Sequence, residues 1–369
     1  MRRLAILWVL STAAVVAAAC DGDTVETTPE PVVVTPAACD APYEKLSEWH
    51  LFADGAGLTP AERVWPYEVI SPLFSDYTTK TRYLYVPPGE QIQYKDTDVW
   101  QFPVGTILVK VFGHAPKVSD PDVDVTLRET RLLCLGEDGW VPHTYVWDEE
   151  QKDATREVAG KFIEVAFEGP DGEPIETNYR VPNTNECKTC HASDDIVHPI
   201  GPRTRQLDFE VNGENQLEAL QQAGLFAEDP PPYAEREHLV DPRDTSQDLF
   251  LRVRSYWDSN CASCHRDGNE AQQSGLYLGF DRTDPAMLDD QSTIGLCKTP
   301  TSAGGANCGN DVDVVPGDPD ASIMVCRMSV EEPKWRMPPL GSLVVHQEGL
   351  ALMREWIASL DPTLCEPAP

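Results

Sequence analysis

Two copies of one short pattern constrain this chain more than anything else in it: CKTCH at residues 187–191 and CASCH at residues 261–265. On a helical turn, positions i, i+3 and i+4 share a face, so each copy presents two thiols and an imidazole together. The thiols can then form thioethers to two haem vinyl groups while the imidazole approaches the iron from one side. The expected cofactors are therefore two covalently attached haem c groups. Cys187, Cys190 and His191 hold the first, and Cys261, Cys264 and His265 hold the second. A shared zinc site is excluded, because the two pairs lie far apart in the chain and each has its own histidine.

The N-terminus sets the compartment. MRRLAILWVLSTAAVVAAAC combines two arginines, an apolar run too short for a membrane span, and three alanines before a cysteine. It reads as an export signal over residues 1–19, and its end resembles the bacterial lipoprotein cleavage box, with Cys20 as the lipidated residue. Residues 20–39 then form a Pro/Thr/acid tether. The chain is expected in the bacterial cell envelope, lipid-anchored to a membrane through Cys20 and facing the periplasm or the surface. Outside the cytoplasm, six further cysteines suggest three disulfides. Sequence alone leaves fifteen pairings; the preferred set is Cys39–Cys134, Cys297–Cys308 and Cys326–Cys365. With 61 acidic against 29 basic residues the net charge is −32, which repels phosphate backbones and excludes nucleic acid as a partner.

Between residues 40 and 182 the chain is rich in short β-branched and aromatic runs. KTRYLYV, VWQF, GTILVKVF, VTLRETRLLCL, HTYVW and KFIEVAF are separated by PPG, GEDG and GPDG turns, which predicts an antiparallel, sandwich-like β-rich domain. From residue 183 helices are expected instead. NQLEALQQAGLF is a short helix. DTSQDLFLRVRSYWDSN follows, with Asp244 or Thr245 as its N-cap and a stripe of Leu249, Val253, Tyr256 and Trp257. The last helix, GLALMREWIASL, buries Leu350, Met353, Trp356, Ile357 and Leu360. The fold class is α+β multidomain, with residues 183–240 as a first haem segment and 241–365 as a second haem domain.

Helix, CASCH, a long loop, WRMPPLG and a terminal helix resemble a class I cytochrome c. The resemblance implies α-helical cytochrome c domains, with Met337 as the second ligand to the iron at His265. More widely, YRVPNTNECKTCH, IGPRTRQL, NQLEALQQAGLF, RSYWDSNCASCH, SGLYLGF, VVPGDPDASIMVCRM and RMPPLG look like the two-haem module associated with quinone-dependent sugar dehydrogenases. SPLFSDYTTKTRYLYVPPG, FPVGTILVKVF and YVWDEEQKDA resemble the β-rich region that precedes it in an exported diheme c-type cytochrome family. Gly201-Pro202 resembles the segment whose proline carbonyl steadies the ligating histidine in small cytochromes.

No methionine lies between Met1 and Met287, so the second ligand at His191 stays open. His198, His238, a histidine of the β-rich domain (His50, His114 or His143), or an open face all remain. The resemblance implies a non-catalytic carrier that passes electrons between redox partner proteins, with a quinone-dependent dehydrogenase as donor and the respiratory chain as acceptor. A diheme peroxidase-like oxidoreductase using an open first haem is the alternative, and a binding role for the β-rich region is a third.

Overall fold

The computed structural model describes residues 36–55, 58–193, 196–285, 290–300 and 307–365. Cys20, the signal segment and nearly all of the tether lie outside the described residues.

Six strands form one antiparallel sheet in chain order: β1 (Val64–Tyr67), β2 (Thr79–Tyr85), β3 (Ile107–His114), β4 (Thr126–Gly136), β5 (Gly139–Trp147) and β6 (Ala154–Arg156). The period-2 alternation of these sequences sends successive side chains to opposite faces. One face is continuously apolar: Tyr83, Tyr85, Ile107, Val109, Val111, Leu132, Tyr145 and Trp147 pack against Leu46, Trp49 and Leu51 from the preceding segment. The Trp49 indole donates to Tyr145 Oη at 2.7 Å, and the Cys39–Cys134 disulfide staples α1 (Pro36–Asp40) to β4.

The opposite face is graded. At one end Leu84, Leu108 and Leu133 stand opposite one another across β2, β3 and β4. They share a cluster with Leu207, Leu217, Leu220, Leu225 and Phe226. Two residues along, the row is Arg82, Lys110 and Arg131; two further, it is Lys80, Phe112 and Glu129. A separate hairpin of β7 (Lys161–Glu168) and β8 (Pro174–Val181) packs Val165, Phe167, Tyr179 and Val181 against Tyr77 and Val146.

This architecture corrects the expected fold class. The β-rich part is a six-stranded meander with one added hairpin rather than a sandwich, and α-helical cytochrome c domains do not follow it. Among the described residues there are seven α-helices, the longest of thirteen residues. Between residues 183 and 240, α2 (Thr184–His191), α3 (Thr204–Leu207) and α4 (Gln216–Gln222) are all too short to enclose a core of their own. Their leucines complete the apolar end of the sheet instead. VWQF contributes only isolated bridges, from Val99 to Arg203 and from Gln101 to Gln93.

The last stretch holds α5 (Leu249–Asn260), α6 (Ile323–Ser329) and α7 (Gln347–Ser359). The stripes of α5 and α7 meet as expected, with Trp257 and Trp356 edge to face at 5.0 Å between ring centroids. The N-cap differs: Asp248 accepts from Leu251 N at 2.9 Å, while Asp244 closes a turn with Ser246. Two of the three expected disulfides are also corrected. Cys297 pairs with Cys365 and Cys308 with Cys326, so the first pins the C-terminal end and the second ties a loop to α6. Proximity in sequence had favoured Cys297–Cys308, but the chain turns Cys308 toward α6 before closing.

Burial makes the fold acid-sensitive. His114 and His346 are pushed down to about 4 by desolvation, and His143 is lowered for the same reason. The unfolded chain binds protons at these sites first as pH falls, so their contribution is full above about pH 6.5 and is lost toward pH 4. For His114 alone this amounts to about 3 kcal/mol; the buried Asp76 carboxyl, pushed up by desolvation, works in the opposite sense. Urea unfolding at pH 7.5 and pH 5 checks this: the midpoint is expected to fall markedly at pH 5, and an unchanged midpoint contradicts it.

Candidate functional site

The first Cys-X-X-Cys-His motif occupies α2. Asn183 caps this helix by accepting from Glu186 N at 3.0 Å, and the Glu186 carboxylate returns a bond to Asn183 N. Arg180 on β8 pairs with Glu186, which fixes the helix start to the hairpin. Cys187, Cys190 and His191 are half-buried on the helix, which has no fully buried residue. The chain then reverses so that His198 N donates to His191 O at 2.6 Å. His191 Nδ1 lies 3.0 Å from the carbonyl oxygen of His198. A carbonyl can only accept, so Nδ1 carries the proton and Nε2 keeps its lone pair. Burial holds the ring neutral, down to about 4, and Lys110, Arg131 and Arg266 push the same way.

The second motif begins at the C-terminal end of α5. His265 Nδ1 lies 3.1 Å from Ser274 Oγ. That hydroxyl spends its one hydrogen on Ala271 O at 2.7 Å. It must accept from His265, so here too the proton sits on Nδ1 and Nε2 is free. The imidazole is held neutral by burial, down to about 4, with Arg327 and Lys298 adding to the effect. His265 opens into a cavity of about 440 Å³ lined also by Cys261, Cys264, Met328, Met337 and His346. Met337 N donates to Arg327 O at 2.7 Å, and Arg327 Nε donates to Trp335 O at 2.9 Å, which anchors the Met-Pro-Pro loop to α6.

The two motifs abut. Cys264 Sγ lies 3.9 Å from Thr189 O, and the neighbouring Cys190 and Cys264 thiols act on each other, which lowers the Cys264 thiol and raises that of Cys190. Cys187, Cys190, Cys261 and Cys264 remain free, whereas the six other cysteines of the described residues form three disulfides. A buried ion network joins the segments that bear the motifs. Arg205 on α3 forks onto Asp258 of α5 at 2.9 and 3.2 Å, and also binds Glu237 at 3.0 Å and Thr97 O at 2.8 Å. The sheet reaches the same place through residues 71–78. Ser71 Oγ donates to Ser255 O, and Asn260 Oδ1 accepts from Phe74 N. Asp76 Oδ1 accepts from Leu343 N and Val344 N.

No protein-family model, curated protein or solved structure matches the chain. Among the described residues, no group of three or more His, Cys, Asp and Glu side chains converges to hold a metal ion. With the β-dominated fold, these findings overturn the resemblance to an exported diheme c-type cytochrome family. Motif order was its warrant, and motif order is silent on how short helices distribute between cores.

The other expected ligand candidates fall as follows. His198 serves through its carbonyl, and its side chain lines a groove with Trp140, Arg203 and Arg266. The carbonyl that steadies His191 is thus that of His198; Pro202 O accepts instead from Trp100 N at 3.3 Å. His238 Nε2 is 3.0 Å from Tyr233 O, and its Nδ1 faces Asp208 at 3.5 Å. His114 Nε2 is held by Asp76 O beneath Phe167, and His143 Nε2 by Cys39 O on the far side of the sheet. His50 is exposed at the end of a short turn.

Sequence reading missed His346, stacked on Phe74 at 4.0 Å with Nδ1 3.1 Å from Tyr256 Oη, in the wall of the His265 cavity. It also missed the basic row Lys80, Arg82, Lys110 and Arg131. A helix-start signal before α7 could have pointed to His346, which occupies the N-cap position.

Proposed function

We propose that the chain carries two covalently attached haems, on Cys187, Cys190 and His191 and on Cys261, Cys264 and His265, and transfers electrons within the bacterial cell envelope. One feature carries the reading: in both motifs a hydrogen bond fixes the proton on Nδ1 and leaves Nε2 free, beside two thiols that form no disulfide. A porphyrin brings four nitrogen ligands of its own, so one imidazole per site is enough and no larger cluster of side chains is needed. Bound haem supplies reversible one-electron redox chemistry. The chain's part is to hold each imidazole neutral and oriented, to offer a cavity beside His265, and to bring the two attachment points together where Cys264 meets Thr189 O. Met337, in the same cavity as His265, is the proposed second ligand there; a thioether favours reduced iron and raises the potential.

In this reading Cys20 carries a lipid that tethers the protein to a membrane, and an envelope dehydrogenase is the donor. A redox titration followed by visible and EPR spectra tests this. Two low-spin haems inert to peroxide are expected. A high-spin haem that consumes peroxide would replace carriage with a peroxidase-like activity.

A further inference from the structure

The row Arg82, Lys110 and Arg131 places three cations directly opposite one another across β2, β3 and β4, with Lys80 one step along on the same face. Like charges at facing strand positions destabilise a sheet, and partly burying them adds a desolvation cost. One carboxylate in the adjoining row offsets them: Glu129, fully buried, binds Arg131 at 2.6 and 2.9 Å and also accepts from Tyr179 Oη. Glu68 and Asp76 act on Arg82 and Lys80 from a distance, but Asp76 is engaged by the amides of residues 343 and 344. Among the described residues Lys80, Arg82 and Lys110 have no carboxylate at ion-pair distance, Lys80 donating only to Thr78 O, in a chain with 61 acidic residues and 29 basic ones.

The remaining surroundings of the row narrow the ligand. Phe112, fully buried at its centre, has Lys110 at 5.0 Å, Arg131 at 4.3 Å and Lys80 at 5.9 Å from its ring. Three of the four cations, each half-buried, therefore stand around an aromatic floor. They lie next to the first motif: Arg131 faces Thr144 of β5, the strand beside α2. Lys110 and Arg131, with Arg266 from just beyond the second motif, are the charges that act on His191. Burial and the neighbouring cations push both lysines down, Lys80 to about 7.

We propose that this basic face of the sheet is a carboxylate-binding site, and that its ligand is the propionate pair of the haem attached at Cys187 and Cys190. The inference rests on the haem reading above, and it gives the β-rich part a role in cofactor binding. Lys110, Arg82 and Lys80 neutralise the anionic edge of the cofactor, and the cofactor's carboxylates relieve the repulsion on this face. A cation at that edge favours the reduced state of the haem and raises its potential.

The test uses the haem-loaded protein with Lys110→Met, which keeps the length of the side chain and removes its charge, and Lys110→Arg, which restores the charge. Arg82→Gln, in the same row, replaces K110M if that variant does not fold. Mass spectrometry first establishes haem on both motifs. Spectroelectrochemistry should then show one of the two potentials lowered in K110M by about tenfold in the reduction equilibrium, about 59 mV for one electron. The other potential should not move, and K110R should return the wild-type value. Wild-type potentials should ignore added phosphate or succinate. Unchanged potentials in a fully haem-loaded K110M overturn the proposal, as does a wild-type potential that follows added phosphate, which would make the face a free-anion site. Haem missing from Cys187 and Cys190 in the wild type overturns the reading beneath it.

Discussion

Replacing Cys187 and Cys190 together by serine is expected to cut the haem content from two per chain to one and to leave the second motif loaded. The two attachment segments are anchored separately, the first on α2 and the second in the turn that follows α5. α2 is capped by Asn183 and tied to β8, whereas the second motif leaves α5, whose stripe is buried against α7. Serine is close in size to cysteine, and neither thiol is fully buried, so the packing cost is small against a total stability of about 5–15 kcal/mol. Haem-stained gels and intact mass check the result. Loss of both haems from the double variant would mean that the motifs load as one unit, against the separate anchoring of the two helices.

The second large effect is on stability. Asp258→Ala is expected to destabilise the protein by about 3–5 kcal/mol, because it strips the forked partner from a guanidinium that is 2% exposed. Asp258 also accepts from Phe280 N at 3.1 Å, so a buried amide loses its partner as well. Arg205→Met combined with Asp258→Leu removes both charges and should recover most of that loss, since apolar replacement of a whole buried pair is often neutral or better. As a control, Arg243→Ala breaks an exposed pair with Asp241 and should cost less than about 1 kcal/mol. Urea unfolding at pH 7.5 measures all of these. A loss below about 1 kcal/mol for D258A would show that Glu237 and Thr97 O alone hold Arg205.

The parts of this chain legible in its sequence are those governed by local spacing. Cys-X-X-Cys-His sets the shared helical face, the 3.6-residue stripes of α5 and α7 bring Trp257 to Trp356, and β-branched alternation gives β2, β3, β4 and β5. What could not be read depends on which surfaces meet. Lys80, Arg82, Lys110 and Arg131 follow the usual pattern of a solvated strand face, yet all four are half-buried and Lys110 and Arg131 act on His191 of α2. Residues 204–226 look like a helical domain by pattern, but Leu207, Leu217 and Leu220 complete the sheet's core because their helices are too short to make another. Disulfide partners follow the same logic: Cys297 closes with Cys365 across 68 residues because α6 and α7 fold between them. The approach of Cys264 Sγ to Thr189 O joins two motifs whose separation in sequence carried no hint of it.

Electron carriage by this chain stands or falls with haem on both motifs. The haem-to-protein ratio of the purified wild-type chain, expressed in a host that matures c-type haem, decides it most directly, taken from an alkaline pyridine haemochrome spectrum against amino-acid analysis. Two haems per chain are expected, and both should stay with the polypeptide after denaturation. A chain recovered without haem, with Cys187, Cys190, Cys261 and Cys264 as free thiols or linked to one another, would contradict that expectation.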